Sequence, residues 1–244
     1  MQKIIYNGWL CGNDSYPAKI KEKYKDKINK EVFGFNRLAK KIDEVESNWN
    51  YIEEEYRVKE KVGGKSIARK PWDHYIKINN DDVLVEFDGY QHYKELDNYI
   101  KDQKYAEIAQ RMGYKVVRIP FFIQLNNKLI EYYFGIQLSN ITIDHTFPQG
   151  FRVNGKEKIP EFLNAEEAGV KNFVNTMKYK SILPTDFCIF GLERFQKEIL
   201  DLSKNGFNKE VQQIKESIVC RAEDYGWDIK YAMPKNMKWD YQSN

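Results

Sequence analysis

Carboxylates are concentrated between Lys70 and Gln91, and carboxylate oxygens are natural ligands for hard divalent cations. Asp73 lies in one alternating, β-branched run, and Glu86 and Asp88 lie in the next. Like charges this close repel one another unless a cation lies among them, and hard oxygen ligands suit Mg²⁺ or Mn²⁺ rather than zinc. Three acids on two strands can also be solvated side chains on an exposed face of a hairpin. The elements that position them therefore decide between a cation site and a solvated surface.

The two runs are separated by the turn formers of residues 79–82, and this pattern predicts a β-hairpin. A loop at the centre of that cluster places Asp73 opposite Asp88 and diagonal to Glu86. Directly paired Cβ atoms lie ~5 Å apart and diagonal ones ~7 Å apart. We therefore expect the three carboxylates to converge on one point above the sheet. Trp72 and His74 point to the opposite face and are expected in the core.

Apolar residues at three- and four-residue spacing predict a helix from Asn36 to about Lys61, ended by Gly63-Gly64. Such a helix could bring a further acid to the site. The candidates are Glu53, Glu54 and Glu55.

Downstream of the hairpin, Asp97 or Asn98 is expected to cap a helix that ends at Gly113. The stretch YKVVRIPFF after it predicts a strand. Strand, helix and strand form a crossover unit, which places the hairpin in a mixed sheet with at least one helical face. The expected buried stripe of the helix is Tyr105, Ile108, Ala109 and Met112.

The signals weaken after residue 126. LIEYYFGIQL fits a helix or a strand, NITIDHTF predicts a strand, and PQGFRVNGKEKIP predicts a loop. Helices are predicted for residues 165–179, for 186–203 with Thr185 as cap, and from Asn208 to about Tyr225. WDIKYAM predicts a final strand. A Lys-rich helical pattern also occupies residues 17 to about 30.

The 244 residues are expected to form one α/β (α+β) domain: a helical N-terminal region (1–62), a catalytic core (63–125) and a mostly helical elaboration (126–244). Hydrophobic residues make up 42% and charged residues 31% of the chain, and the mean hydropathy is −0.71. No apolar run approaches the ~18 residues of a membrane-spanning helix. The N-terminus lacks a signal-peptide pattern. We expect a cytoplasmic protein without a membrane partner, with reduced thiols at Cys11, Cys188 and Cys220.

The segment from Pro71 to Pro120 resembles the PD-(D/E)XK nuclease superfamily, and more closely the branch of the very-short-patch repair endonucleases. The shared pattern runs from the upstream Pro and Asp, through EFDGYQH, to a helix, Gly-Tyr and a VVR strand. The resemblance covers about 50 residues and implies a restriction-endonuclease-like mixed sheet flanked by helices. It also implies that Asp73 and Glu86 hold Mg²⁺, for which Mn²⁺ can substitute.

Asp88 occupies the position at which the family has lysine, and an acid cannot orient water or stabilise negative charge as lysine does. A second metal, or the first metal's bound water, could replace that function, with Asp88 as a third ligand. Alternatively, Lys77 could migrate into the role. His92 matches the histidine of the repair-nuclease branch, as a general acid or base or as a phosphate ligand. Gln91 is expected near metal-bound water or DNA.

The resemblance implies an Mg²⁺-dependent, site-specific endodeoxyribonuclease that hydrolyses phosphodiester bonds in double-stranded DNA. A type II restriction endonuclease acting as a homodimer on a palindromic site is the first expectation. A mismatch- or site-specific nicking enzyme, a homing endonuclease and a non-catalytic DNA-binding module of the same fold are the alternatives. Lys104 and Arg111, close together on one helix flank, are expected to contact phosphates.

Overall fold

The computed structural model describes residues 4–10, 31–33, 35–58, 61–62, 65–66, 71–89, 91–120, 122–123, 125–144 and 184–224. Contacts divide the chain into two compact units. The first contains residues 1–88 and 102–148, and the second contains residues 89–101 and 149–244.

The first unit is built on a four-stranded mixed sheet. Its strands are β3 (Trp49–Tyr56), β6 (Trp72–Ile78), β7 (Asp81–Asp88) and β8 (Lys115–Pro120), and this is also their spatial order. β6 pairs antiparallel with both β3 and β7, whereas β7 and β8 are parallel. The mixed sheet and the α/β class expected from the sequence are confirmed.

The hairpin of β6 and β7 is present, but its register differs from the expected one by two residues. Asn79 and Asn80 both adopt positive φ (50° and 74°), which a type I′ two-residue turn requires and which Asn tolerates. Ile78 therefore pairs with Asp81, and His74 pairs with Val85. The predicted pairing of Asp73 with Asp88 is wrong. Because side chains alternate with a period of two, the two-residue shift leaves the side chains of β7 on their expected faces.

The crossover from β7 to β8 is confirmed. Helices α2 (Gln91–Lys94) and α3 (Leu96–Arg111) lie between the two parallel strands along the chain. Gly113 turns the chain after α3 with φ 91°, a conformation that glycine adopts without steric cost. Residues 102–111 of α3 belong to the first unit and pack on the β7 face that carries the acids. The buried residues of that cluster are Val58, Trp72, Leu84 and Ala109, with Tyr105 and Met112 beside them.

The predicted helix from Asn36 to Lys61 is wrong beyond its first turns. Helix α1 covers Phe35–Asp43, and the chain then turns and enters β3. Glu46 at that turn is buried, and its carboxylate accepts the backbone N–H groups of Ser139 (2.7 Å) and Asn140 (2.6 Å). This tertiary contact and the pairing with β6 override the helical spacing of the apolar residues.

The other face of the sheet is covered by α1, so helices flank both faces. The Phe35 ring lies 5.0 Å from the ring of His74 and 5.2 Å from that of Phe87, centroid to centroid. His74 and Trp72 are 4% and 7% exposed, which confirms that both belong to the core. Trp72 nevertheless packs with Leu84 and Ala109, so its expected position on the same face as His74 is wrong. Burial, followed by the positive charge of Lys40, lowers the pKa of His74 to about 3, so its imidazole is neutral at physiological pH.

Five further strands and one helix complete the described part of the first unit. β1 (Ile4–Leu10) lies between β2 (Glu31–Phe33) and β9 (Ile141–Asp144) in an all-parallel sheet. The N-terminal region is therefore not purely helical as expected. The ambiguous LIEYYFGIQL segment forms α4 (Asn127–Phe134), capped by Asn126 and ended by Gly135 at φ 67°. A short pair, β4 (Lys61–Val62) and β5 (Lys65–Ser66), stands where the helix was expected to end.

The second unit contains α2, the first turns of α3, a 3₁₀ turn (Pro184–Asp186), α5 (Ile189–Lys204) and α6 (Asn208–Asp224). α5 begins later than predicted: its cap is Cys188 instead of Thr185, and the Cys188 Sγ accepts the N–H of Gly191 at 3.4 Å. Cys188 is a free, half-buried thiol. α6 begins at Asn208, in agreement with the sequence.

Several sequence predictions fall outside the described residues. They are the Lys-rich pattern of 17–30, the loop of 148–160, the helix of 165–179 and the strand of 227–233. Among the helices that are described, none combines the length and apolarity needed to cross a bilayer.

Candidate metal centre

Glu86 and Asp88 lie at the carboxyl end of β7, on the face covered by α3, and both are buried. Glu86 is 4% exposed and Asp88 is fully buried. Their shared orientation follows from strand alternation, because Leu84 of the same face is packed against Ala109 of α3. Burying a carboxylate is costly unless it is paired or binds a cation, so these two side chains need specific partners.

Arg118 on β8 supplies the partner of Asp88. Its Nε donates to Asp88 Oδ2 at 2.8 Å, and its Nη2 donates to Asp88 Oδ1, so the pair is bidentate. The same Nη2 lies 2.9 Å from Oδ2 of Asp102, a 5% exposed residue of α3. In the parallel register of β7 and β8, Arg118 is the Cα partner of Glu86. One guanidinium thus connects two acids from two elements, beside a third acid.

Asp73, on β6, is half-buried and uses its carboxylate to bind main chain. Its Oδ2 accepts the N–H of Phe87 at 2.7 Å, in place of a strand carbonyl. Extending the observed register by one pair brings Asp73 opposite Glu86 rather than Asp88. Within the described residues, no group of three potential ligands within 4.8 Å of one another includes Asp73. The expected convergence of Asp73, Glu86 and Asp88 on one point is therefore wrong in this structure.

His92 joins the two buried acids instead. One ligand atom from each of Glu86, Asp88 and His92 lies within 4.8 Å of the others. The three residues belong to a seven-residue segment that contains the end of β7 and the first turn after it. That turn is held by the His92 N–H, which donates to Gly89 O at 3.0 Å. His92 is half-buried, whereas Gln91 beside it is exposed.

Lys77 lies away from this group, near the hairpin turn. The observed register pairs it with Asp82 instead of Leu84, and its Nζ lies 2.8 Å from Asp82 Oδ1. The Tyr75 hydroxyl donates to the same oxygen. These two contacts hold the pKa of Asp82 below its usual value, whereas burial and then the Asp82 contact raise that of Tyr75. The predicted placement of Lys77 diagonal to Glu86 is wrong.

The other candidates lie on exposed surfaces. Lys104 and Arg111 are solvent-facing on α3, and the Arg111 Nε donates to Glu107 O at 3.3 Å. The prediction that a helix brings a further acid to the site is wrong, because the three candidate residues lie exposed on the strand β3. Those three residues are Glu53, Glu54 and Glu55.

Arg118 and Asp102 were missed by the sequence reasoning. A signal for Arg118 exists, because it is the one charged residue between Val116 and Pro120 in an otherwise apolar, largely buried strand. Asp102 gives a weaker signal, since an acid in the middle of a helix is usually solvated. The contact between them could not be read from the sequence.

The donor set fits a hard divalent cation. Glu86 and Asp88 offer carboxylate oxygens, which hard divalent cations prefer, and His92 offers an imidazole nitrogen, a common metal ligand. A cation there would also offset the repulsion between the two carboxylates. Arg118 donates one N–H to each Asp88 oxygen, and a carboxylate oxygen can accept more than one partner.

No family model, curated protein or solved structure matches this chain.

Proposed function

We propose that the protein is a divalent-cation-dependent endodeoxyribonuclease with a restriction-endonuclease-like core, which hydrolyses phosphodiester bonds in double-stranded DNA. Mg²⁺ is the proposed cofactor, with Mn²⁺ as a substitute. We propose that it cleaves DNA at a specific site as a homodimer, as a type II restriction endonuclease does.

The observation that carries the proposal is the local group of Glu86, Asp88 and His92, two of them buried, at the end of an interior strand. The strand belongs to a mixed sheet in which a helical crossover leads to a parallel neighbour, as the resemblance implies. Buried like charges with a histidine beside them are uncommon as plain packing and common where a cation binds.

Each residue has a defined task in the proposed reaction. Glu86 and Asp88 hold the cation, and Asp73, one strand away, orients the end of β7 through Phe87. His92 moves a proton to or from the reacting oxygens at its imidazole. A bound divalent cation supplies Lewis-acid neutralisation of the charge on the scissile phosphate.

Incubation of supercoiled plasmid with the purified chain tests the proposal. We expect conversion to open-circular or linear DNA in Mg²⁺ or Mn²⁺ and none in EDTA. Linear product at the first cut indicates double-strand cleavage, and open circles indicate nicking. A Glu86→Gln variant, which keeps the shape and removes the charge, should lose about 100-fold or more of the rate.

Glu53→Gln is the matched control, because it removes the same charge from an exposed position on β3. Its rate should equal that of the unmodified chain. Equal rates for both variants would place the reaction elsewhere. Lack of cleavage on varied DNA, together with lack of metal binding, would rule out the nuclease.

A non-catalytic DNA-binding module is the second candidate, favoured by one observation. The position at which the family has lysine holds Asp88, and Arg118 engages both of its oxygens. Binding of labelled duplex DNA that is unaffected by metal and followed by no cleavage would support this alternative.

A further inference from the structure

We infer that Arg118 and Asp102 are positioning residues for the proposed metal centre: Asp102 fixes the Arg118 guanidinium, and Arg118 fixes the Asp88 carboxylate as a ligand. This inference rests on the proposed function. The resemblance to the nuclease superfamily assigned no role to either residue.

Arg118 fixes the geometry of the Asp88 carboxylate. Two parallel N–H donors from one planar guanidinium fix both the position and the rotation of a carboxylate, which a single hydrogen bond does not. Asp88 is fully buried and has a short side chain, so little motion remains. The directions in which the two oxygens can accept further partners are therefore set before any metal binds.

Asp102 in turn fixes the position of the Arg118 guanidinium. Arg118 has a long side chain whose own rotamers would otherwise be numerous, and Asp102 removes that freedom by contacting Nη2 at 2.9 Å. Asp102 is buried on α3, and α3 is packed against the sheet through Ala109. The orientation of Asp88 thus depends on α3, the helix of the crossover that joins β7 to β8.

The positive charge of Arg118 also balances the negative charges of the carboxylates around it. Arg118 is 14% exposed, and its positive charge lies close to two carboxylates that are themselves almost completely desolvated. Glu86, its Cα partner across the two parallel strands, places a third buried carboxylate beside it. Outer partners of this kind hold metal-binding carboxylates in place, and their removal usually lowers metal affinity 10–100-fold.

A purely structural ion pair is the competing explanation, since the same contacts also tie α3 to β7 and β8. The two explanations differ in metal affinity. A structural pair affects stability alone, whereas a positioning pair changes affinity in a chain that stays folded.

The test measures Mn²⁺ affinity of the full chain by electron paramagnetic resonance, with thermal unfolding and circular dichroism on the same samples. Asp102→Asn keeps the size of the side chain and weakens its hold on Arg118, and we expect affinity to fall about tenfold. Glu107→Gln is the matched control, because it removes one acid from an exposed position of the same helix. Its affinity should equal that of the unmodified chain.

Arg118→Lys keeps the charge but not the bidentate contact, and provides the second variant if Asp102→Asn does not fold. We expect it too to bind Mn²⁺ about tenfold more weakly. Unchanged affinity in either folded variant overturns the inference while leaving the metal centre intact. Absence of Mn²⁺ binding by the unmodified chain overturns the proposed function itself, and the inference with it.

Discussion

The carboxylate of Asp73 accepts the backbone N–H of Phe87 at 2.7 Å, so a side chain of β6 takes the place of a main-chain acceptor beside the last residues of β7. This contact joins the half-buried acid to the strand end that carries Glu86 and Asp88. Asp73 therefore has a structural task in addition to any task in catalysis, and the two can be separated by substitution.

Asp73→Asn should keep the hydrogen bond, because the amide oxygen can accept the same N–H, and should fold with normal stability. If the negative charge of Asp73 takes part in the reaction, cleavage falls about 100-fold or more. Asp73→Ala should in addition lose about 1 kcal/mol of stability, since it removes the acceptor. Plasmid cleavage rates and denaturant unfolding measure the two effects. Normal cleavage by Asp73→Asn would restrict Asp73 to the structural task.

Lys77→Gln should cleave DNA at close to the unmodified rate. Its ammonium is held by Asp82 near the hairpin turn, and four residues of strand, about 13 Å, separate Lys77 from Asp73. Both partners are about two-fifths exposed, so the stability cost should stay below about 1 kcal/mol. Lys115→Gln, which breaks another exposed ion pair of the same sheet, is the control. A rate loss confined to Lys77→Gln would restore this lysine as the substitute for the family residue.

The local patterns of the central segment were sufficient to predict the hairpin, its two faces, the crossover helix and β8. The register was not predictable, because four consecutive turn formers allow more than one turn centre. Positive φ at Asn79 and Asn80 places the turn one residue earlier than the centre of that cluster. A shift of one residue in the turn centre moves each pairing by two, which separates Asp73 from Asp88.

Long-range contacts account for most of the remaining differences. The apolar spacing of β3 fits a helix, and its strand form comes from pairing with β6 and from the Glu46 contacts with residues 139 and 140. The link from Asp88 through Arg118 to Asp102 joins three elements that sequence spacing cannot bring together. His92, in contrast, was predicted as a site residue from the sequence resemblance, and it follows Asp88 by only four residues in the chain.

His74 should make the stability of the fold depend on pH. Its pKa is lowered from 6.5 to about 3, so the unfolded chain binds the proton first as the pH falls. The stabilisation is complete above the unfolded pKa and is lost progressively as pH decreases from 6.5 toward 3. At about 1.36 kcal/mol per unit, roughly 2 kcal/mol is lost at pH 5.

His74→Leu removes the titrating group and should flatten the dependence of unfolding free energy on pH between 5 and 7. Tyr51→Phe is its control: it removes the hydroxyl 3.4 Å from His74 Nδ1 but keeps the imidazole, so the slope should remain. Urea unfolding at several pH values gives both slopes. Identical slopes for His74→Leu and the unmodified chain would contradict the assignment.

Gly191→Ala should disrupt the packing of α5 against α2 within the second unit. A Cβ at Gly191 would lie 1.8 Å from the carbonyl oxygen of Tyr93, which also accepts the Cys188 N–H at 3.0 Å. The clash is with main chain, so no side-chain rotation relieves it, and we expect a loss of about 3 kcal/mol. Gly89→Ala is the control, because nothing lies within 4 Å of its Cβ position. Hydrogen exchange of the α2 and α5 amides should accelerate in Gly191→Ala alone, and unchanged exchange there would contradict the close approach of the two helices.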